Sequence, residues 1–229
     1  MSDIIAFNGY WLQYNSNVLD WDAYNPLGLP PFTIRCKFAQ HITPDIPPAI
    51  GDSQTLVDAT ENIWDITKNS TNWSELFRYT DSLLGVLGAN TAGVTIMSDM
   101  FLRCRWLTSI PLFDTSSVTN MASMFQETSL TSAPIFDTSS VTNMNYMFYK
   151  CSALTSVPLL DTSSVTGMLG VFQDCTSVES GSLALYQQAS TQATPPSKHA
   201  NCFYNCGSNT ATGQAELAQI PLDWGGTMA

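Results

Sequence analysis

The chain is short of charge. Of its 229 residues only 8 are Lys or Arg and 19 are Asp or Glu, together 12%, against about 25% in an average domain. Solubility must then come from Ser, Thr, Asn and Gln. The net charge of −11 rests on few ions and excludes a general binder of nucleic acid or of anionic membranes. Histidine is scarcer still, with only His41 and His199, and neither sits in a nucleophile–base signature. Motifs of the G-x-S-x-G, H-E-x-x-H and P-loop types are absent, so the chain reads as a non-enzyme. No run approaches the roughly 20 apolar residues of a membrane span. The opening "MSDIIAFNGYWLQYNSN" has no basic n-region, apolar h-region or small-residue cleavage site, which predicts synthesis in the cytoplasm without a secretion signal.

The six cysteines are Cys36, Cys104, Cys151, Cys175, Cys202 and Cys206. Without a secretion signal they are expected as reduced thiols. Only Cys202 and Cys206 are close, and no second Cys or His pair follows at zinc-ligand spacing. No metal and no cofactor is expected.

What is present is a repeat. "FDTSSVTNM" occurs at 113–121 and again at 136–144, and "LDTSSVTGM" at 160–168. Anchored on valine, the copies align at Val94, Val118, Val141 and Val165. Each is followed in phase by a phenylalanine (Phe101, Phe125, Phe148, Phe172) and then by Cys104, Thr128, Cys151 or Cys175. Next comes a piece of the form L-x-x-φ-x-φ, φ being apolar: "LTSIPL" at 107–112, "LTSAPI" at 130–135, "LTSVPL" at 154–159 and "VESGSL" at 178–183. This matches the strand half of a leucine-rich repeat, and the period lies within the 20–29 residues of that class. The pattern predicts short strands with Leu107, Ile110 and Leu112 pointing inward. "LLGVLG" at 83–88 is a degenerate early copy and "LAQIPL" at 217–222 a late one. "VTNMxxMF" places Val, Met and Met-Phe on one helical face and predicts a helical arc, with "DTSS" supplying capping oxygens. Pro111, Pro134, Pro158 and Pro221 limit how far each strand can pair.

The repeats resemble the bacterial surface leucine-rich repeats of the BspA-like type, with their "FDTSxVTxMxxMFxxCxxL" pattern, over roughly residues 83–183. The resemblance implies display at a surface and attachment to partners. A β-rich start combined with a short "DTSSVT" array is also similar to proteins encoded by phages and prophages of gut bacteria. A virion component needs no secretion signal, because lysis releases it.

The fold class expected is α+β. Residues 1–80 form a small antiparallel β domain, with Trp11, Trp21, Trp64 and Trp73 in or near its core. "IIAFNGYWLQY", "PFTIRCKFAQ" and "QTLVDATENIWDIT" read as strands, and "NSN" at 15–17 as a hairpin turn into "VLDW". "NWSELFRYT" reads as a short helix. Residues 81–183 form the solenoid, and 184–229 a cap with a helix at "LALYQQAST" and a last strand.

Asp114, Asp137 and Asp161 recur in phase. Either they form a calcium ladder, or each accepts hydrogen bonds within its own turn; a calcium ion needs at least six oxygens, which favours the second reading. The strand face offers only Thr108, Ser109, Pro111 and their repeats. The varied positions lie on the arcs, so Arg103, Trp106, Tyr146 and Tyr149 are the expected partner contact. The function expected is that of a structural or adhesive bacteriophage component (fibre, decoration or host-attachment protein), located in the virion. The alternative is a bacterial interaction or adhesion module at the cell surface. The expected partners are other subunits of an assembly, or a host-surface protein or glycan, with self-association as a further option.

Overall fold

The computed structural model describes residues 4–7, 10–13, 33–38, 53–58, 63–67, 70–81 and 83–228. Its elements are strands β1 (Ile4–Phe7), β2 (Tyr10–Gln13), β3 (Thr33–Phe38), β4 (Ser53–Asp58), β5 (Ile63–Thr67) and β6 (Leu83–Asn90), then helices α1 (Ser182–Thr191) and α2 (Ala211–Leu217) and a 3-10 turn at Leu222–Trp224.

The strands form one sheet in the order β1-β2-β4-β5-β3-β6. β1 and β2 pair antiparallel from Ile4↔Gln13 to Phe7↔Tyr10, so the first apolar stretch is two strands rather than one. The Asn8-Gly9 dipeptide between them in sequence is a hairpin signal. β4 and β5 pair antiparallel, so "QTLVDATENIWDIT" is a pair of strands. The hairpin expected at 15–17 lies outside the described residues, as do the side chains of Trp11, Trp21 and Trp64.

From residue 72 onward a second architecture begins. Parallel bridges join Asn72 to Ile96, Ile96 to Asn120, Asn120 to Asn143, Asn143 to Gly167, and Gly167 to Lys198. Six turns of chain are thus stacked in register. Phe77, Phe101, Phe125, Phe148, Phe172 and Phe203 form a continuous column, with ring centroids 5.5, 5.6, 5.4, 5.3 and 6.0 Å apart. Trp224 closes its end, stacked on Phe203 at 6.4 Å and on His199 at 4.2 Å. A second, shorter column of Phe113 and Phe136 leans on the first. Met97, Met121, Met144 and Met168 fill one slot of successive turns and are fully buried.

Two expected pieces change places. "NWSELFRYT" is no helix but the first turn of the stack: Asn72 bridges Ile96, Trp73 is fully buried in the slot of the later methionines, and Phe77 starts the column. Trp73 therefore serves the stack and not a separate β core. Leu83–Asn90, expected as the first repeat strand, is instead the edge strand β6 and pairs antiparallel with β3. The chain alternates between stack and sheet across the boundary drawn at residue 80. Buried Cys36 and Ile66 of the sheet join the same apolar cluster as the turns.

The arcs are not α-helices. In an α-helix every amide donates four residues back along its own chain. Here alternate amides leave the turn: Met97, Asp99, Phe101 and Arg103 donate to the carbonyls of Asn120, Ala122, Met124 and Gln126. Of the amides between them, Met100 donates to Met97 and Leu102 to Asp99, three residues back. Aiming alternate amides outward needs left-handed residues at two fixed positions per turn. These are Glu75 and Tyr79, Asp99 and Arg103, Ser123 and Glu127, Tyr146 and Lys150, Gly170 and Asp174, and Asn201 and Asn205. Each non-glycine there costs about 1–2 kcal/mol, offset by the hydrogen bonds to the next turn.

The pieces expected as strands at 107–112, 130–135 and 154–159 are not regular strands either. Their buried positions recur every third residue: Leu107 then Phe113 with half-buried Ile110 between, and Leu154, Val157 and Leu160. Three is the repeat of a polyproline-like extended chain, consistent with a proline that cannot donate to a ladder. Leu112, expected inward, consequently turns out, 66% exposed.

Side-chain ladders line the stack. Buried Thr91, Thr115 and Thr138 donate through Oγ1 to the carbonyls of Asp114, Asp137 and Asp161 in the next turn, at 2.8–2.9 Å. Gln192 ends this row, accepting from Thr162 Oγ1 and donating to its carbonyl. Cys104, Cys151 and Cys175 donate backwards to the carbonyls of Phe77, Phe125 and Phe148. Cys104, Cys151, Cys175, Cys202 and Cys206 are free thiols, and all six cysteines are buried.

The final segment packs onto the last turns. α1 forms where the sequence predicts a helix and buries Ser182, Leu185 and Ala189. The carboxylate of Glu216 on α2 accepts from the amides of Gly181 and Leu183, so one helix caps the start of the other. Residues 217–222, expected as a last strand, run from the end of α2 to the start of the 3-10 turn and contribute only an isolated bridge between Pro221 and Met228. Thr210 holds the start of α2 by accepting from Gly213 N.

Candidate interaction surface

The four residues expected to meet a partner fall into two groups. Tyr146 and Tyr149 are together, edge to face at 5.7 Å, with Lys150 Nζ over the Tyr149 ring. Arg103 and Trp106 lie two turns away, about 10 Å at the usual spacing of stacked chains. No contact joins the groups among the described residues. Trp106 is 53% exposed. Arg103 Nε is 3.1 Å from Glu127 Oε2, an ion pair without hydrogen-bond alignment, and its guanidinium lies over the Tyr79 ring. Tyr146 is committed to packing: a Cβ added at Gly170 would come within 2.7 Å of its ring. Arg103 and Tyr146 therefore serve neighbouring turns, and Trp106 is the most exposed member of the set.

The structure brings forward a row that the sequence reading turned the wrong way. Leu112, Ile135 and Leu159 occupy one position of three successive turns and are 66, 73 and 55% exposed. The signal was available, since "PLFD", "PIFD" and "PLLD" each place two apolar residues side by side, and only one can face inward. Phe113, Phe136 and Leu160 take the inward place and are buried. Two residues on come Asp114, Asp137 and Asp161, all exposed.

These aspartates do not repel their way out of the fold, because each is satisfied locally. Asp114 Oδ1 accepts from the amide and hydroxyl of Ser116, Asp137 Oδ1 from those of Ser139, and Asp161 Oδ1 from the Ser163 amide. Hydrogen bonds from these serines hold all three carboxyls below the usual carboxylate range, so they are ionised at neutral pH. The in-turn reading describes this geometry, and no group of three metal-ligating side chains occurs among the described residues.

The thiols of the stacked turns are buried. Burial pushes Cys151 up to about 11 and Cys206 up to about 12, and raises Cys104, Cys175 and Cys202 as well. The reactive thiolate is suppressed at neutral pH. No helix among the described residues is long and apolar enough to cross a membrane.

The period and the stacked arcs can be compared with known families. Residues 54–135 and 71–186 match the family described as "Mycoplasma protein of unknown function, DUF285", between them more than half of the chain. The chain belongs to this family. The matched range takes in β4, β5, β6 and the first five stacked turns, and it starts ahead of the first exact repeat, consistent with Asn72 opening the stack. No curated protein and no solved structure matches the chain.

Proposed function

We propose that this DUF285 chain is a non-enzymatic structural or adhesive protein whose stacked turns form a leucine-rich solenoid of the BspA-like kind, with a β-rich part before it and a cap after it. The observation that carries the reading is the row Leu112, Ile135 and Leu159. A stack tied by at least five backbone hydrogen bonds between successive turns presents three large apolar side chains to solvent at regular intervals. Exposed apolar rows rimmed by polar groups mark protein contacts, and here the rim is the ionised aspartate row. Rigid display of that kind suits attachment and assembly better than catalysis. Trp106 adds an exposed aromatic nearby in the chain.

The setting that we favour is a bacteriophage particle, in which the protein joins other subunits or meets a host surface; a bacterial surface module is the alternative. Mass spectrometry of purified particles from cells encoding the chain is the test. Its detection together with capsid and tail proteins supports the particle role. Its absence there, with recovery in the cell-surface fraction, favours the alternative. In either setting, L112S/I135S/L159S should lose association with that assembly while keeping its melting temperature. Retained association would remove the row from the proposal.

A further inference from the structure

A second surface feature lies away from the apolar row, at the end of the stack. The last turn, the far side of α2 and the chain after the 3-10 turn enclose a cleft of about 660 Å³. That is within the usual range of small-ligand sites. Asn201, Tyr204, Asn205, Ser208, Gln214 and Leu222 are among its walls. In a chain with 27 charged residues, not one Asp, Glu, Lys, Arg or His lines this cleft. A charged ligand would find no counter-ion there. The walls instead carry amides and hydroxyls, which both donate and accept, beside an exposed ring and an exposed leucine. Tyr204 is 54% and Leu222 66% exposed.

Two of the polar side chains are held in place. Asn205 Nδ2 donates to Asp174 Oδ1 at 2.9 Å, and Gln214 Nε2 donates to the Ser208 carbonyl at 2.7 Å, which fixes both amide planes. The glycines at the back cannot be replaced cheaply. Gly225 is left-handed at φ 89°, where a Cβ would meet Tyr204 N at 2.4 Å, and a Cβ on Gly226 would run into the Ile220 carbonyl. A site with fixed polar groups loses little freedom when it binds.

A neutral ring with several hydroxyls and an apolar C–H face matches these walls: its hydroxyls meet amides and hydroxyls, and its face meets Tyr204. We propose that the cleft is a binding site for neutral saccharides. The adhesive reading supplies the setting, but the site itself rests on the cleft alone.

The test is ligand-observed saturation-transfer NMR on the full chain. The probes are glucose, galactose, mannose, N-acetylglucosamine and their common disaccharides, with glucuronic acid and sialic acid as charged controls. The expected result is transfer to at least one neutral sugar and none to the acids. Tyr204→Ala should weaken binding about tenfold, since ring stacking contributes on the order of 1 kcal/mol or more. Its melting temperature should hold, because the ring is largely exposed. L112S/I135S/L159S should bind sugar as the parent does, which separates failure of the cleft from failure of the apolar row. No transfer to any neutral sugar, equal transfer to the acids, or unchanged binding in Tyr204→Ala would each overturn the proposal.

Discussion

Two halves of a single turn are built on different principles. The arc from Asn120 to Glu127 is held by its backbone: the amides of Met121, Ser123, Phe125 and Glu127 all donate to the following turn. The connecting piece from Leu130 to Phe136 has one backbone tie to the next turn, from the Thr155 amide to the Thr131 carbonyl, and otherwise relies on side chains, with Leu130 and Phe136 buried and Ile135 left outside. Where the backbone carries the stacking, outward side chains are free to differ, as Gln126 and Tyr149 do at one position. Where side chains carry it, the inward positions are restricted to Leu, Val, Phe and Ala or Ile, and the outward apolar residue is left for another use.

The comparison can be broken most severely at the column. Phe125 lies between Phe101 and Phe148 and also against Phe136. Phe125→Ala should cost about 3–5 kcal/mol in chemical denaturation, as a large buried ring leaves a cavity. Ser123→Pro attacks the arc through its backbone alone. It removes the amide that donates to Asn145 and demands a negative φ where the chain has 54°. A loss of about 3 kcal/mol or more is expected, although proline is native at position 134 of the connecting piece. A stable Ser123→Pro protein would refute the backbone-held arc. Thr138→Val keeps the shape but leaves the Asp161 carbonyl without its hydroxyl donor, for about 1–2 kcal/mol. Ile135→Ser should change stability by no more than about 0.5 kcal/mol, since the side chain is 73% exposed. A larger loss would mean that the row is part of the core.

The smallest effect concerns pH. Asp137 has its carboxyl held down by Ser139, so its folded value lies below the unfolded one of about 3.9. The cap therefore contributes stability above that unfolded value and loses it as pH falls through the lowered one. Asp137→Asn should flatten the acid limb of the melting-temperature profile below about pH 4 and leave pH 7 nearly unchanged. An unaltered acid limb would show that the serine bonds are not made in solution.

Much of this was legible in the residues, and the errors have physical causes. The repeat, the phase of Phe101, Phe125, Phe148 and Phe172, and the buried thiols followed from spacing, because a 23–24-residue identity places like residues above one another. The last copy, Phe203 with Cys206, carries the same F-x-x-C spacing. The first copy was missed. "TNWSELFRYT" at 71–80 aligns with "TNMASMFQET" at 119–128 once Trp is allowed to stand for Met and Leu for Met. Leu83–Asn90 was misplaced because apolar spacing cannot say whether a strand pairs forward with a repeat or backward with β3.

The sequence by itself determined that turns of equal length must stack, and which residues share a column, since periodic identity leaves no other arrangement that buries so many apolar groups at once. Only the tertiary structure decided how the chain travels within a turn. Val, Met and Phe at 3–4 spacing fit an α-helix as well as an arc with two left-handed residues four positions apart. The choice falls to the amides: a helix satisfies them within the turn, whereas the arc sends every second one to a carbonyl in the next turn, a partner that exists only once the stack has formed. The same holds for Leu112, Ile135 and Leu159, whose outward direction follows from a three-residue repeat that the packed turns impose.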